Sequence, residues 1–128
     1  MIKKIAVIDD EQDILNILNN FLSGDERLDI TTFSNPIAAV DIVKNGTFDL
    51  VLLDIMMPQM NGIEFLKEVK DLSGDTKVMM MTAYSTKDKI KKCKKFGAID
   101  YITKPFISLK DIKNRILKQL NLKDTKDD

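Results

Sequence analysis

The sequence predicts an α/β domain: a doubly wound, five-stranded parallel sheet of order 2-1-3-4-5 with five helices covering both faces. Three observations point there. Short β-branched runs alternate with amphipathic stretches along the 128 residues. Each run is followed by a helical pattern, the crossover that parallel neighbours need in order to pair. The third run, Asp49–Leu53 (DLVLL), reads as apolar, as a central strand buried on both faces should be. The order 2-1-3-4-5 is the common small version of this plan.

Lys4–Ile8 (KIAVI) reads as a buried strand. A helix from about Glu11 to Ser23 follows, with an apolar stripe of Ile14, Leu15, Ile17, Leu18, Phe21 and Leu22. Gly24 is placed to stop it in the left-handed conformation. Leu28–Phe33 (LDITTF) is the second strand. Asn35 and Pro36 then supply an N-cap and a proline at the first helical position, and Gly46 closes that helix. After the third strand a loop, Met56–Gly62, leads into a helix from about Ile63 to Asp71. Lys77–Met81 (KVMMM) is the fourth strand, and Met79, Met80 and Met81 read as its core. Thr86–Lys95 is a helix ended by Gly97, Asp100–Ile102 a short fifth strand, and Ile107 to about Asn121 the final helix. Residues 1–122 thus form one domain and 123–128 a charged tail.

Composition limits the function. Hydrophobic residues make up 44% and charged residues 31%, which is globular rather than disordered. Lys plus Arg equals Asp plus Glu at 20 each, so net charge gives no reason to expect direct nucleic-acid or membrane binding. No apolar run approaches the roughly 18 residues of a membrane-spanning helix. Met1-Ile2-Lys3-Lys4 leads into the first strand without a signal-peptide cleavage region. Cys93 stands alone, cannot form an internal disulfide, and reads as a small packed helix residue. A reducing compartment, the cytoplasm, is the expected location. Histidine is absent, which removes Ser-His-Asp and Cys-His catalysis and imidazole metal sites. Any phosphohistidine involved must come from another protein.

In a sheet of this order, ligands bind beyond the carboxyl ends of the strands, where the order reverses. The first strand ends in Asp9 and Asp10, followed by Glu11; the third ends in Asp54, the fourth in Thr82, and Lys104-Pro105 follows the fifth. Three carboxylates, a hydroxyl and an ammonium should therefore converge on one cleft. Two carboxylates about 5 Å apart repel by roughly 3 kcal/mol at an effective dielectric near 20, so the cluster calls for a cation. All-oxygen ligands select Mg²⁺, with Mn²⁺ as a substitute, rather than zinc. A carboxylate can act as a nucleophile toward phosphorus, with a divalent ion and a lysine stabilising the transferring charge. No glycine-rich phosphate cradle follows the first strand, which argues against a nucleotide donor.

These residues resemble the receiver domain of bacterial two-component response regulators, of the single-domain type found in chemotaxis and sporulation relays. The resemblance runs from about Ile5 to Leu120 and rests on V-I-D-D at 7–10, L-L-D-I-M-M-P-Q-M-N-G at 52–62, M-T-A at 81–83 and Y-I-T-K-P at 101–105. It implies that Asp54 is the phosphoacceptor, and that Asp10, Asp54 and the backbone carbonyl of Met56 ligate Mg²⁺ while Asp9 acts through metal-bound water. It further implies that Thr82 hydrogen-bonds the phosphoryl group, that Lys104 pairs with it, and that Tyr101 turns inward on activation. The Lys104-Pro105 bond is expected to be cis. Met56 and Tyr84 stand at positions that vary in the family and bear on phosphoryl lifetime. The implied partners are a histidine kinase or histidine phosphotransfer protein and a downstream protein bound by the helix 4, strand 5, helix 5 face.

Three other readings share parts of the pattern. A flavodoxin-type flavin protein shares the topology but needs a Ser/Thr/Gly-rich phosphate loop where Asp9, Asp10 and Glu11 stand. An aspartate-nucleophile phosphohydrolase resembles D-x-D-x-T there, and this chain does not. A purely structural interaction module would ignore Mg²⁺. Two surface features stand out besides. The first helix carries a broader apolar stripe than one buried face needs, so some of Ile14, Leu15 and Ile17 should be exposed for docking a helical phosphodonor. Lys87, Lys89, Lys91, Lys92, Lys94 and Lys95 crowd one helix against Asp88, which reads as a solvated face or as a site for an acidic partner.

Overall fold

The computed structural model describes residues 2–46, 48–72, 75–83 and 86–123. Tyr84 and the tail 124–128 lie outside the described residues. The elements are β1 (Lys3–Ile8), α1 (Gln12–Leu22), β2 (Leu28–Phe33), α2 (Pro36–Asn45), β3 (Leu50–Asp54), α3 (Gly62–Leu72), β4 (Lys77–Thr82), α4 (Lys87–Lys95), β5 (Asp100–Thr103) and α5 (Leu109–Gln119). The sheet order is β2-β1-β3-β4-β5, every pair parallel, as the sequence predicts.

Alternation along β1 divides the core in two. Ala6 and Ile8 face a layer of α2, α3 and α4, through Val40, Val43, Phe65, Leu66, Val69 and Cys93. Ile5 and Val7 face α1 and α5, through Leu15, Leu18, Leu22, Ile112, Ile116 and Leu117. β3 is buried at every position because both layers press on it. Met79, Met80 and Met81 are fully buried, and Cys93 packs inside as expected. Each such aliphatic side chain contributes about 1.5–3 kcal/mol by leaving water.

Side-chain caps set the helix starts. Asn35 Oδ1 accepts the Ile37 N–H, Thr86 Oγ1 that of Lys89, and Ser108 Oγ that of Asp111. The last of these corrects the expected boundary. With Ser108 as the cap, the final helix begins at Leu109, and Ile107 stands fully exposed outside it. Gly24 corrects another expectation, since it does not adopt a positive φ. The chain there keeps turning right-handed, with the Asp25 N–H bonded to the Leu22 carbonyl. The left-handed stops fall instead at Gly97 (φ 102°) and at Asn121 (φ 58°). At Asn121 the N–H groups of Asn121 and Leu122 close on the carbonyls of Lys118 and Leu117. Among the described residues, no helix is long and apolar enough to cross a membrane.

Candidate phosphoacceptor site

The carboxyl ends of β1, β3 and β4 and the turn after β5 meet at one edge of the sheet, at the switch between β1 and β3. Register brings Ile8 beside Leu53, Asp54 beside Met81 and Thr82 beside Thr103. Residues just past these strand ends therefore share one cleft. Asp9 is fully buried, Asp54 is 3% exposed, and Asp10 is open to solvent. One carboxylate oxygen from each of Asp9, Asp10 and Asp54 lies within 4.8 Å of the others. Thr82 is fully buried at the end of β4, and its carbonyl accepts the Lys104 N–H at 2.8 Å. The Lys104-Pro105 bond is cis, as the resemblance implies.

Lys104 projects its ammonium among the carboxylates. Nζ lies 2.6 Å from Asp9 Oδ2, 3.4 Å from Asp54 Oδ2 and 3.5 Å from Glu11 Oε1. Sequence reasoning paired Lys104 with an incoming phosphoryl group and did not anticipate Asp9 as its nearest partner. Asp9 also accepts the Glu11 N–H at 2.9 Å, which fixes the start of α1 where Glu11 offers no side-chain cap of its own.

The loop from β3 to α3 folds back over Asp54. The Met56 N–H points at Asp54 Oδ1 (3.3 Å), and the Gly62 N–H donates to the Ile55 carbonyl (2.9 Å). Only glycine fits at 62, because a Cβ there would sit 2.7 Å from Ile55 Cα. Met57 is buried, Met60 half-buried and Met56 about half exposed. Lys89 of α4 reaches back to the Met56 sulfur at 3.4 Å. Nothing in the sequence signalled that contact, which spans 33 positions.

The electrostatics are those of an anionic pocket with too little positive charge. Burial, and then the Asp9 charge, push Asp54 up to about 6 against the opposing pull of Lys104 and the Met56 N–H. Burial likewise raises Asp9, although its hydrogen bond to Lys104 works the other way. For Lys104, burial pulls the ammonium down, but the bond to Asp9 and the charges of Asp54, Asp9 and Glu11 outweigh it and raise it. Three clustered carboxylates facing one ammonium fit a hard divalent cation, and Asp10 would meet it from the solvent side.

Tyr101 is half-buried on β5 and lines a small apolar cavity of about 10 Å³ with Ile55, Met80, Ile90, Cys93 and Ala98. Its carbonyl accepts from Arg115 Nη2 (2.6 Å), and the same guanidinium grips Asp100. On α1, Leu15 is buried, Ile14 half-buried, and Ile17 and Phe21 are 44% and 37% exposed.

A doubly wound sheet carrying an aspartate trio and a buried lysine at its switch point defines a phosphoacceptor signalling domain. The pattern of the response regulator receiver domain matches residues 5–117, and the chain belongs to that family. It is 37% identical over 123 residues to sporulation initiation phosphotransferase F of Bacillus subtilis, covering 96% of this chain and 98% of that protein. It is 36% identical over 107 residues to the chemotaxis protein CheY of Halobacterium salinarum, covering 83% and 88%. The crystal structure of a CheY-like receiver domain protein from Methanospirillum hungatei superposes with a TM-score of 0.88 at 27% identity, covering 94% and 95%. The chain is a phosphoacceptor of two-component phosphorelay signalling.

Proposed function

We propose that Asp54 accepts a phosphoryl group from the phosphohistidine of a histidine kinase or phosphotransfer protein, in the cytoplasm and with Mg²⁺ as cofactor. The observation that carries this reading is the placing of Asp54 within 4.8 Å of Asp9 and Asp10 and 3.4 Å from the Lys104 ammonium. An Asp54 carboxylate oxygen attacks phosphorus, the bond from phosphorus to the donor imidazole nitrogen breaks, and the imidazole leaves with its electron pair. The product on this chain is an acyl phosphate.

Asp10, Asp54 and the Met56 carbonyl would hold the cation, with Asp9 acting through its water. When bound, Mg²⁺ (or Mn²⁺) neutralises phosphoryl oxygens and screens the aspartates from one another. Lys104 holds Asp9 in place and offers the phosphoryl group a positive charge. Thr82, at the end of the neighbouring strand, supplies a hydroxyl to a phosphoryl oxygen. That bond would pull on Thr82 at the end of β4, and half-buried Tyr101 on the adjacent strand β5 would turn inward in response. A change there reaches the α4, β5, α5 face, where the downstream protein binds. On this reading the chain catalyses its own phosphorylation and dephosphorylation and turns over no external substrate. Nothing in it calls for direct contact with nucleic acid.

Intact mass after incubation with acetyl phosphate tests the chemistry. One added phosphoryl group is expected with Mg²⁺, and none without the metal or in Asp54→Asn. Labelling that persists in Asp54→Asn would move the acceptor elsewhere.

A further inference from the structure

The six lysines of α4 lie in nine residues with one acidic residue, Asp88, on a chain whose charges balance only when this helix is included. Their arrangement with α3 is specific. The buried stripe of α3 is Phe65, Leu66 and Val69. At 3.6 residues per turn, Lys67 and Lys70 fall on one flank of that stripe and Glu64 and Glu68 on the other. Contacts show that the lysine flank faces α4. Lys67 Nζ lies 4.3 Å from the centre of the Phe96 ring, and a Cβ on Gly97 would meet Lys70 Cε at 2.8 Å. The facing flank of α4 carries Lys89, which touches the β3–α3 loop at Met56, and Lys92 one turn on. Lys95 lies 5.9 Å from the same Phe96 ring. The seam between the two helices is thus bordered by Lys67, Lys89, Lys92 and Lys95, with half-buried Phe96 between them, and Glu64 and Glu68 fall on the opposite flank of α3.

Among the described residues, none of these four lysines is paired with a carboxylate. Like charges on one helix face are destabilising, so beyond the ring contacts of Lys67 and Lys95 folding gains nothing from crowding these ammonium groups. We propose that the α3–α4 seam docks an acidic peptide segment of a partner protein. Its carboxylates would sit among the four ammonium groups and an apolar side chain would rest against Phe96. The charge asks for an anionic occupant, and its scale favours a peptide. Nine residues of α4 are roughly 13 Å long, which matches about two and a half turns of a partner helix. Bidentate phosphate recognition, by contrast, favours arginine, which this seam lacks. The surface lies on the flank of α4 away from β5, and its use does not depend on Asp54 chemistry.

Fluorescence anisotropy of a labelled poly-glutamate peptide with the full chain tests this. Binding at low ionic strength is expected, weakening by about tenfold at physiological salt as the charges are screened. The pair Lys92→Glu and Lys95→Glu should cost roughly tenfold or more, while Lys87→Glu with Lys94→Glu, on the far flank, should stay within about twofold. Lys92→Gln with Lys95→Gln, expected to give a smaller loss, serves if the reversed pair fails to fold. Asp54→Asn should bind as well as the unaltered chain, and the seam variants should still take label from acetyl phosphate, which separates this proposal from the phosphoacceptor reading. No binding at low salt, equal losses from both flanks, or tighter binding of a single-stranded oligonucleotide than of the peptide would each overturn it.

Discussion

Lys104 sets its ammonium 2.6 Å from Asp9 and 3.4 Å from Asp54, so one buried cation is shared between two buried carboxylates. The closer bond goes to Asp9, and Asp54, the nucleophile of the proposed reaction, keeps the weaker hold. A phosphoryl group on Asp54 can therefore draw on the Lys104 charge while the ammonium keeps its shortest contact, the one to Asp9.

Neutralising Asp54 should stabilise the metal-free protein. Burial and the Asp9 charge raise Asp54 to about 6, so ionising it in the folded state near pH 7 costs about 2–3 kcal/mol relative to the unfolded chain. Asp54→Asn removes that cost while keeping the shape. Urea denaturation without metal should show a gain of about 1–3 kcal/mol. A loss would mean that the carboxylates do not strain the fold.

Mg²⁺ should supply the same relief to the unaltered chain. At a free concentration near a hundred times its Kd, a ligand of the folded state adds about 2.7 kcal/mol. Thermal melts with and without Mg²⁺ should differ for the native sequence and much less for Asp10→Asn, which alters the exposed member of the proposed ligand set. Equal shifts in both proteins would remove Asp10 from the metal site.

At the opposite end of the sheet Asp25 carries an acid-sensitive clamp. Its carboxylate accepts from Arg27 Nη2 (2.7 Å), Nε (2.9 Å) and N–H (3.0 Å) and lies 3.5 Å from Lys113 Nζ on α5. Chiefly through the Arg27 bonds, its carboxyl is held well below the usual carboxylate range. A lowered folded pKa gives stability that is present above the unfolded value near 4 and is lost as pH falls toward the folded one. Asp25→Asn should therefore cost about 1–3 kcal/mol near neutral pH, with the deficit shrinking below about pH 4. A deficit of equal size in acid would show that packing, and not charge, holds the turn.

Gly62 fixes the loop over the site. Alanine there would push a Cβ to 2.7 Å from Ile55 Cα, so the backbone must move, at a cost of about 1–3 kcal/mol. Because Met56, whose carbonyl is a proposed metal ligand, lies in the same loop, Gly62→Ala should weaken Mg²⁺-dependent labelling beyond what the lost stability explains. Labelling rates measured well below the melting temperature would separate the two effects.

The parts of this molecule that were legible in the sequence are those set by local pattern. β3 could be read as central because apolar residues filled both faces, and Asp9, Asp10, Asp54, Thr82 and Lys104 could be read together because each ends or follows a strand. What escaped depends on distant partners. Gly24 and Gly97 look alike in sequence, but only at Gly97 does the chain turn left-handed, against the stem of Lys70. Ile107 continued a plausible helical stripe, yet the Ser108 cap one residue later set the boundary. The choice of Asp9 as the nearest partner of Lys104 is a matter of side-chain direction across 95 positions, which no local pattern encodes.

The exposed edge of α1 bears on how the donor is recognised. The sequence offered Ile14, Leu15 and Ile17 as docking candidates, and burial now separates them. Leu15 belongs to the core and Ile14 packs against it, whereas Ile17 and Phe21 are the large apolar residues of α1 left open to solvent. They lie four positions apart, about one turn, and so share a face. Ile17→Ser touches neither the core nor the carboxylates, so stability and labelling by acetyl phosphate should stay within about twofold. Transfer from a phosphorylated histidine kinase or phosphotransfer protein should slow by about tenfold if that face carries about 1–2 kcal/mol of the encounter. Parallel assays with the two donors read the difference directly. Equal slowing with both would place the defect in the Asp54 pocket, and no slowing with either would free α1 from any part in donor docking.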